Sequence, residues 1–415
     1  MSGCGAEKGL ISIDEALALI QAQTRTLASE TLPLGECLNR YLAQAIISEV
    51  NLPGFSQSAV DGYAIHSASE NLQNAVFSVM GEIKAGSESD LQLTDGQAVR
   101  IFTGGKIPEG TTHVARQEIV TIEGDHQIRL TEHIRAQADI RFTGEEIQCG
   151  QLLAEAGQRI TIGALAALSM AGVKTVEVFK QPKVAVVITG DEVAETPDDL
   201  QAGKVFDANG PLLKAWLQDY GVVAEIRHIA DEAEQVTQCF EQLKPQYDVI
   251  ITTGGVSVGD YDFVRPCAFE AGFEQVFWKV KQKPGKPLFF ARSIAPKRES
   301  TDFHHCYILG LPGNPAAVYV CMQLYGKVLL DALQHQRHTL QWFSAILDQD
   351  LKSDARERFL RMHAYFEQGQ LRLKTLAKQQ SHMLSNLMQA NCLVRIPAHV
   401  QPVAGQQVTG LRIEH

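Results

Sequence analysis

Four short segments of this sequence carry residue types that bind phosphate groups and hard metal ions. They are VITGDEV (187–193), TTGGVSVGDYD (252–262), WKVKQKPGKP (278–287) and LGLPGNPAAV (309–318). Glycines let backbone N–H groups approach a phosphate closely, and lysines balance its negative charge. Carboxylates beside a phosphate need a divalent cation between them, and Mg²⁺ commonly takes one or two carboxylates plus substrate phosphates. Together the segments predict a phosphate-bearing ligand with a metal ion.

Each segment also has a simpler interpretation. A Thr-Gly-Gly sequence is usually a turn, Asp260 and Asp262 could cap the helix that follows them, and the lysines of the third segment could form a solvated face. Asn314 is a natural N-cap for a helix that begins at Pro315, and the N-terminus of that helix would offer free N–H groups to an anion. The chain has neither a P-loop nor a dinucleotide-binding fingerprint.

Strands and helices alternate from Pro182 onward and must position these segments. Buried-strand runs such as KVAVVIT, YDVIITT and CYILGL alternate with helical runs such as PLLKAWLQDYG, DEAEQVTQCFEQLK and NPAAVYVCMQLYGKVLLDAL. This pattern predicts a doubly wound α/β domain with a largely parallel sheet. In such a sheet ligands bind beyond the carboxyl ends of the strands. Because each of the four segments follows a predicted strand, we expect them to meet there.

Strand patterns dominate most of the remaining chain. Short strands and turns at 81–147 predict a small β-rich unit, and strand-like runs from about Gln334 predict a C-terminal β unit built as a small barrel. Near the start, Ser12 and Glu15 have capping-box spacing and predict a helix. The residues 304–306, His-His-Cys, are interpreted as a loop entering a strand, with metal binding as the weaker alternative.

Composition and charge narrow the class of protein. The chain has 415 residues, 45% of them hydrophobic, and its 37 Lys and Arg against 48 Asp and Glu give a net charge of −11. This length predicts about three domains, and the acidic balance argues against nucleic-acid binding. We expect neither a signal peptide nor a membrane span. The eight cysteines form no C-x-x-C pair, so we expect reduced thiols in a cytoplasmic protein, without a disulfide framework or zinc site.

Seven blocks, in this order along the chain, resemble the signature blocks of the MoeA family. They are LPGFSQSAVDGYAI, IFTGGKIPEG, RFTGEEI, VVITGDEV, TTGGVSVGDYD, KPGKP and LPGNPAA, and QQSHMLSNLMQANCLVRIP resembles the family's C-terminal domain. The members are molybdopterin molybdenumtransferases, related to the C-terminal half of gephyrin. Adenylyl-transferring proteins of the same pathway share the domain with TTGGVSVGD and LPGNP. The blocks around Asp61 and Thr103 and the C-terminal unit separate this family from them.

The resemblance implies a multidomain α/β fold. It has a central doubly wound α/β domain of the MogA type, additional β-rich domains and a small C-terminal β-barrel-like domain. The boundaries that we expect are 29–48 with 150–179 for an elongated linking domain, 49–149 for a small β-rich domain, 10–28 with 180–332 for the α/β molybdopterin-binding domain, and 333–415 for the C-terminal β domain.

The resemblance also implies a function. Family members insert molybdenum from molybdate into adenylylated molybdopterin and release AMP, with Mg²⁺ required. They are homodimers, so we expect a homodimer, with the molybdopterin adenylyltransferase of the pathway as a further candidate partner and no nucleic acid or membrane partner. Two alternatives stay open. One is a non-catalytic pterin-binding or scaffold protein of the same fold, and the other is a molybdopterin adenylyltransferase.

Candidate site residues follow from the family blocks. The resemblance implies catalytic roles for Asp61, Thr103, Glu192, Asp231, Asp262, Lys279 and Lys283. It implies substrate binding by Gly254, Gly255, Ser257, Lys286, Pro312, Asn314, Pro315, Arg361 and Ser381. The candidate metal ligands are Glu192, Asp231, Asp260 and Asp262. In a homodimer, Asp61 and Thr103 are expected to complete the cleft of the partner subunit.

The chain departs from the family pattern mainly in its second domain. Ser56-Gln57 stands where the family usually has Asp-Asn, Val60 where it usually has Met, and Glu145-Glu146 where the block commonly ends Glu-Asp. These changes bear on the part of the site that two subunits would share, whereas the blocks of the α/β domain are nearly intact.

Overall fold

The computed structural model describes residues 10–87, 90–190, 193–194, 204–256, 262–295, 304–337 and 340–413. The chain divides into two compact units. Met1–Glu30 and Phe179–His415 form the first unit, and Thr31–Val178 form the second. All four segments with phosphate-binding chemistry belong to the first unit.

Seven α-helices and 26 strands are present in the described residues. The helices are α1 (Ile13–Gln23), α2 (Ile162–Met170), α3 (Asn209–Tyr220), α4 (Ala233–Leu243), α5 (Val264–Glu270), α6 (Pro315–Cys321) and α7 (Lys327–Leu333), with a π-helical turn (Met322–Gly326) between the last two. The strands are β1 (Ser29–Pro33), β2 (Ile46–Ile47), β3 (Gln57–Ser58), β4 (Gly62–Ile65), β5 (Val76–Ile83), β6 (Gln97–Ile101), β7 (His113–Arg116), β8 (Val120–Ile122), β9 (Gln127–Leu130), β10 (Ile140–Arg141), β11 (Leu152–Ala154), β12 (Thr175–Phe179), β13 (Val184–Thr189), β14 (Val193–Ala194), β15 (Val205–Phe206), β16 (Ala224–Ile229), β17 (Val249–Thr253), β18 (Phe273–Trp278), β19 (Gln282–Lys283), β20 (Phe289–Ser293), β21 (Tyr307–Leu311), β22 (Trp342–Leu347), β23 (Glu357–Glu367), β24 (Gln370–Thr375), β25 (Cys392–Ile396) and β26 (Gln407–Arg412).

The second unit is built from short strands around separate small cores. Its six-stranded sheet has the order β7-β4-β6-β5-β9-β8, and β5 and β6 are its one parallel pair. The sheet therefore begins earlier in the chain than the pattern at 81–147 predicts, because β4 inserts between β6 and β7. Leu42, Ile160 and Leu168 belong to a different core, which α2 helps to cover.

The sheet of the α/β domain has the order β16-β13-β17-β21-β20-β18. The first four strands run parallel to one another, as the sequence predicts. Among the six strands only β20 runs in the opposite direction, since it is antiparallel to both of its neighbours, so the sheet is largely parallel as predicted. The cause is the lysine-rich loop between β18 and β20, which joins the strands without a crossover helix, so the chain must return in the opposite direction.

Helices cover both faces of this sheet. Val184, Val186 and Ile188 of β13 face a core shared with α1, α3, α6 and α7, whereas Ala185 and Val187 face a core shared with α4 and α5. The strand is buried at every position, as expected for a strand between two helical layers. The prediction of a doubly wound domain is confirmed.

The C-terminal domain is a small closed barrel. Its strands follow one another in the order β23-β24-β22-β26-β25, and β25 pairs again with β23. The short strand β19, from the lysine-rich loop of the α/β domain, adds to β23 in parallel at Glu357 and Arg358. The predicted barrel is therefore present, and it is joined directly to the loop that carries the lysines.

The long apolar helix predicted from Asn314 is present as α6, the π-helical turn and α7. Among the described residues, Pro315–Leu333 is the one helix long and apolar enough to cross a membrane, and 94% of its apolar window is buried inside the protein. Val318, Leu324 and Leu329 lie in the larger core of the α/β domain. The apolar character of the helix is thus explained by its place in that core.

Candidate functional site

The strands of the α/β domain bring the four segments to one edge of the sheet. Thr253, the last residue of β17, is paired with Leu311, the last residue of β21, and lies beside the end of β13. Phe289 begins β20 and is paired with both Trp278, at the end of β18, and Gly310. The lysine-rich loop therefore leaves the sheet at the same edge as the other three segments, as the sequence predicts.

The first cleft at this edge, which we call the glycine cleft, has a volume of about 590 Å³. Its walls are the ends of β13 and β17, residues 205–209 at the start of α3, residues 313–315, and His382 with Leu384 from the C-terminal domain. It therefore joins three loops of the α/β domain to one loop of the barrel domain.

Two glycines, Gly254 and Gly313, line the glycine cleft, and Gly255 follows directly after the first. Gly254 and Gly255 have φ angles of +83° and +63°, in the left-handed region that favours glycine. A Cβ on Gly255 would lie 2.8 Å from Val264 Cγ2, and one on Gly313 would lie 3.6 Å from Gly254 Cα. At Gly254 and Gly313 the cleft is therefore lined by backbone without side chains, as phosphate binding by N–H groups requires.

Asp207 and Asn209 organise the opposite wall, and no role was predicted for either. The carboxylate Oδ1 of Asp207 accepts hydrogen bonds of 2.9 Å from the N–H groups of Asn209 and Gly210, at the start of α3. The Asn209 side chain donates to the carbonyl of Gly313 at 2.9 Å. The signal for both residues was present, since VFDANG precedes a helix and Asp and Asn favour such turns.

The segment LPGNP differs from its prediction in one respect. Asn314 holds the N-cap position of α6, but its side chain makes no capping hydrogen bond. The Ala316 N–H donates instead to the carbonyl of Ser381 at 3.0 Å, and the Val318 N–H to the carbonyl of Asn314. Pro315 has no N–H to offer. The prediction that this helix N-terminus presents free donors to an anion is therefore wrong, because a loop of the barrel domain occupies the position.

The second cleft, which we call the lysine cleft, lies between the α/β domain and the barrel and has a volume of about 400 Å³. Five residues predicted to bind substrate or catalyse line it, namely Lys283, Lys286, Pro312, Asn314 and Ser381. Two cationic residues of the barrel, Arg356 and Arg358, also line it and were not predicted. Their pattern, RER on a strand, is common on solvated strands and gave no separate signal.

The charges of the lysine cleft are only partly neutralised. The ammonium of Lys283 lies 2.8 Å from Asp354 Oδ2, and this hydrogen bond is the main reason that the pKa of Asp354 is lowered. The guanidinium of Arg358 donates through Nη2 to the carbonyl of Lys352, while its buried Nε has no hydrogen-bond partner among the described residues. Buried donors of this kind are commonly satisfied by ordered water.

Arg361 has a different place from the one predicted. Its side chain is 1% exposed and donates to the carbonyls of Met383, Lys378 and Gln380 at 2.5, 3.0 and 3.1 Å. These contacts shape the loop that presents Ser381 to the lysine cleft. Arg361 does not line either cleft, so we assign it a positioning role rather than contact with an oxyanion.

Lys279 is also held away from both clefts. It is 9% exposed, its φ angle is +71°, and its ammonium lies 4.1 Å from the centre of the Trp278 ring. The indole of Trp278 donates to the carbonyl of Val256 at 2.9 Å. Lys279 thus packs over Trp278, whose hydrogen bond to Val256 links the lysine-rich loop to the segment containing Gly254 and Gly255.

Two of the four predicted metal ligands, Asp231 and Asp262, lie among the described residues. Asp231 lies in the turn between β16 and α4, and Asp262 lies just before α5; both are half-buried. The N-cap position of α5 is Phe263, so Asp262 is not the cap residue of the helix. Glu192, Ser257 and Asp260 lie outside the described residues. Within the part of the chain that the structure describes, no three His, Cys, Asp or Glu side chains cluster as a metal site.

In the second unit, the two predicted catalytic residues Asp61 and Thr103 are in direct contact. The Oδ1 atom of Asp61 accepts hydrogen bonds from the N–H and the hydroxyl of Thr103, both at 2.8 Å. These two bonds are the main causes of the lowered pKa of Asp61. Asp61 is therefore an exposed, ionised carboxylate with one oxygen engaged.

Comparison with protein-family models identifies the class of protein first. Residues 185–333 match the model described as a probable molybdopterin binding domain. The flanking parts match the MoeA N-terminal region (domain I and II) at residues 11–172 and the MoeA C-terminal region (domain IV) at residues 344–411. The α/β domain with its two clefts is thus a domain of the molybdopterin-binding class.

Relatives that the chain matches over nearly their whole length then identify the family. The chain is 34% identical to a molybdopterin molybdenumtransferase of Haemophilus influenzae over 95% of this chain and 98% of that protein. It is 32% identical to one of Staphylococcus aureus over 93% and 91%. A crystal structure of a molybdopterin biosynthesis MoeA protein from Pyrococcus horikoshii OT3 superposes with a TM-score of 0.80 at 26% identity, covering 97% of this chain and all of that one. The chain belongs to the MoeA family of molybdopterin molybdenumtransferases.

Proposed function

We propose that the chain inserts molybdenum from molybdate into adenylylated molybdopterin and releases AMP. Family membership makes it a transferase of molybdenum cofactor biosynthesis. The observation that carries the finer proposal is that Asn314 lines both clefts. A glycine-lined cleft and a cationic cleft therefore adjoin, as a reaction between a phosphorylated pterin and a free oxyanion requires.

The glycine cleft suits the adenylylated pterin. The glycines that line it, Gly254 and Gly313, allow the phosphates to approach the backbone closely, and Phe206, which also lines it, is 58% exposed. An exposed aromatic ring offers a flat apolar surface to a heterocycle. We assign Gly254, Gly255, Asn314 and Pro315 to this substrate, together with Ser257, which lies outside the described residues.

The lysine cleft suits molybdate. Its donors are cations, which form shorter and stronger hydrogen bonds to an oxyanion than neutral groups do. The cationic residues Lys286, Arg356 and Arg358 line this cleft together with Ser381. Lys283 would divide its charge between Asp354 and the ligand. Pro312 completes the boundary with the glycine cleft.

Mg²⁺ is part of the proposal. The residues that would hold it are Asp231 and Asp262, with Glu192 and Asp260 from outside the described residues. The two described carboxylates are half-buried and belong to loops after strands of the parallel part of the sheet, and oxygen donors of this type fit a hard cation that also binds phosphate. When bound, the ion would neutralise charge on the phosphate groups.

The proposed chemistry depends on electrostatics more than on acid–base catalysis. An oxygen of water or molybdate attacks phosphorus, the phosphoanhydride bond breaks, and AMP leaves, while molybdate exchanges oxo ligands for the two sulfurs of the pterin. The cations of the lysine cleft stabilise the negative charge on the oxyanion. Asp231 or Asp262 is placed in our proposal to orient the nucleophile, and no general base is assigned.

We also propose a homodimer in the cytoplasm. The helix α2, IGALAALSM, contains no charged residue, and Ile162 and Met170 are 79% and 55% exposed. An uncharged exposed face of this kind favours burial against a second copy. In the dimer, Asp61 and Thr103 would complete the partner's cleft. The described cysteines are all free thiols, which is consistent with a reducing compartment.

The experiment that tests the function is AMP release from adenylylated molybdopterin with Mg²⁺, with and without molybdate. Release that depends on molybdate supports the transferase. Tight pterin binding without AMP release would favour a binding or scaffold protein. Formation of adenylylated molybdopterin from molybdopterin and ATP would favour an adenylyltransferase.

A further inference from the structure

A buried side chain holds the lysine-rich loop from inside. Gln282 immediately precedes Lys283 and is 0% exposed. Its amide nitrogen donates to the carbonyl of Gly285 at 3.3 Å, and its amide oxygen accepts a hydrogen bond from the hydroxyl of Tyr325. The tip of the loop is therefore connected through one amide to the core helix below it.

The loop packs on this amide without room for a further side chain. Gly285 has a φ angle of +91°, and a Cβ at this position would lie 2.6 Å from both Cys321 Sγ and Gln282 Nε2. The nitrogen of Gln282 also lies 3.6 Å from the Cys321 sulfur. Only glycine lets the backbone between the two lysines approach the helix this closely.

The helix presents Tyr325 through an irregular turn. Tyr325 belongs to the π-helical turn between α6 and α7, and it is fully buried. Insertions of this kind are rare and occur frequently at functional sites. Burial raises the pKa of the Tyr325 phenol well above its ordinary value, so the hydroxyl stays protonated and can donate.

We propose that Tyr325 and Gln282 are positioning residues that set the conformation of residues 283–286 and thereby place Lys283 and Lys286 in the lysine cleft. The proposal rests on the proposed function in one respect, which is that the lysine cleft binds the oxyanion. Neither residue touches that ligand. Both polar groups of the Gln282 amide are satisfied, because its oxygen accepts from the Tyr325 hydroxyl and its nitrogen donates to the Gly285 carbonyl.

The closing experiment compares Tyr325→Phe with Tyr319→Phe. Tyr319 is a second buried tyrosine of the same helix, and its hydroxyl makes no hydrogen bond to the lysine-rich loop in the described structure. Both variants lose one buried hydroxyl. In Tyr325→Phe we expect faster hydrogen–deuterium exchange in the peptide that contains residues 283–288, and an unchanged rate there in Tyr319→Phe.

A kinetic readout separates positioning from a general loss of stability. We expect Tyr325→Phe to raise the half-saturating molybdate concentration about fivefold, the typical effect of one hydrogen bond, with kcat and the KM for the pterin substrate little changed. Gln282→Met, which keeps the volume and removes both polar groups, should reproduce the effect and serves if the first variant does not fold. Unchanged hydrogen–deuterium exchange of residues 283–288 in both Tyr325→Phe and Gln282→Met would overturn the proposal. If the wild-type protein shows no use of molybdate, the proposed function fails, while the exchange result still decides the positioning role.

Discussion

The side-chain amide of Asn209 donates a hydrogen bond of 2.9 Å to the carbonyl of Gly313. This contact joins the first turn of α3 to the LPGNP segment across the glycine cleft. Asp207 fixes the Asn209 backbone from the other side by accepting its N–H. One hydrogen bond therefore links two loops that line the cleft.

Replacing Asn209 should weaken binding of the pterin substrate. In Asn209→Ala we expect the KM for adenylylated molybdopterin to rise about fivefold, because one hydrogen bond contributes about 1 kcal/mol. Asn209→Asp should cost more, since it places a carboxylate oxygen against the Gly313 carbonyl. Steady-state kinetics at saturating molybdate measures both. Equal KM values for the wild type and the aspartate variant would show that the contact does not shape the cleft.

Lys283→Ala should affect molybdate more than the pterin. We expect a rise of about tenfold in half-saturating molybdate, equivalent to about 1.4 kcal/mol, because one cation of the lysine cleft is lost. Binding of the pterin substrate, measured by titration calorimetry, should be unchanged. Lys281→Ala, a neighbouring lysine that does not line this cleft, is the matched control. An unchanged molybdate dependence in Lys283→Ala would remove this lysine from the oxyanion site.

Gly255→Ala should destabilise the α/β domain by both strain and steric overlap. The left-handed backbone costs about 1–2 kcal/mol for a residue with a Cβ, and the new atom would lie 2.8 Å from Val264 Cγ2. Gly369→Ala is the control, because its φ is +79° and nothing lies within 4 Å of the added carbon. Thermal unfolding should show the larger loss for Gly255→Ala. A loss no greater than that of the control would mean that Val264 moves freely.

The pair formed by Asp14 and Arg395 should make stability depend on pH in the acid range. The guanidinium of Arg395 donates to both carboxylate oxygens of Asp14 at 2.8 and 2.9 Å, and this lowers the pKa of Asp14 below its ordinary value of 3.8. Because the folded-state pKa is the lower one, the contribution is complete above the unfolded pKa and is lost as the pH falls through the folded pKa. Asp14 is 72% exposed, so we expect less than about 1 kcal/mol.

A double-mutant cycle measures this contribution. Asp14→Asn should reduce the free energy of unfolding at pH 7 and have little effect at pH values below the folded pKa of Asp14. In an Arg395→Met background the same substitution should be nearly neutral at both pH values. A loss that persists in that background would assign the effect to α1 itself rather than to the ion pair.

Asp262→Asn should abolish AMP release while leaving the fold intact. The substitution keeps the shape of a half-buried side chain and removes the charge that our proposal assigns to binding of Mg²⁺ and phosphate. Circular dichroism and thermal unfolding would check the fold, and chromatography would quantify AMP. Asp219→Asn is the control, because Asp219 is exposed. Asp248→Asn would not serve, since Asp248 is buried and accepts a hydrogen bond from the Lys183 N–H. Normal turnover in Asp262→Asn would place this residue outside the site.

The arrangement of the site could be predicted where it depends on the alternation of strands and helices. The buried runs that end at Thr189, Thr253 and Leu311 predict parallel strands, and the geometry of such strands places their following loops together. Positive φ angles at Gly254 and Gly255 fit the turn that their sequence indicates.

Contacts between distant parts of the chain could not be predicted in the same way. Asn314 has the sequence context of a capping residue, but the carbonyl of Ser381 takes the helix N–H group that an anion would need. Arg361 has the charge expected of an anion-binding residue, but three carbonyls of a neighbouring loop surround it. Neither contact can be inferred from spacing along the sequence, because both depend on where residues 378–383 of the barrel domain lie in the folded protein.

The most direct test of the account is the ratio of molybdenum transferred to AMP released in a single turnover. The protein would be mixed with adenylylated molybdopterin, Mg²⁺ and molybdate, and the pterin product analysed for bound molybdenum while AMP is quantified from the same sample. We expect one molybdenum atom on the pterin for each AMP, and no transfer when molybdate is omitted. AMP release without molybdenum on the pterin, or pterin binding without AMP release, would contradict it.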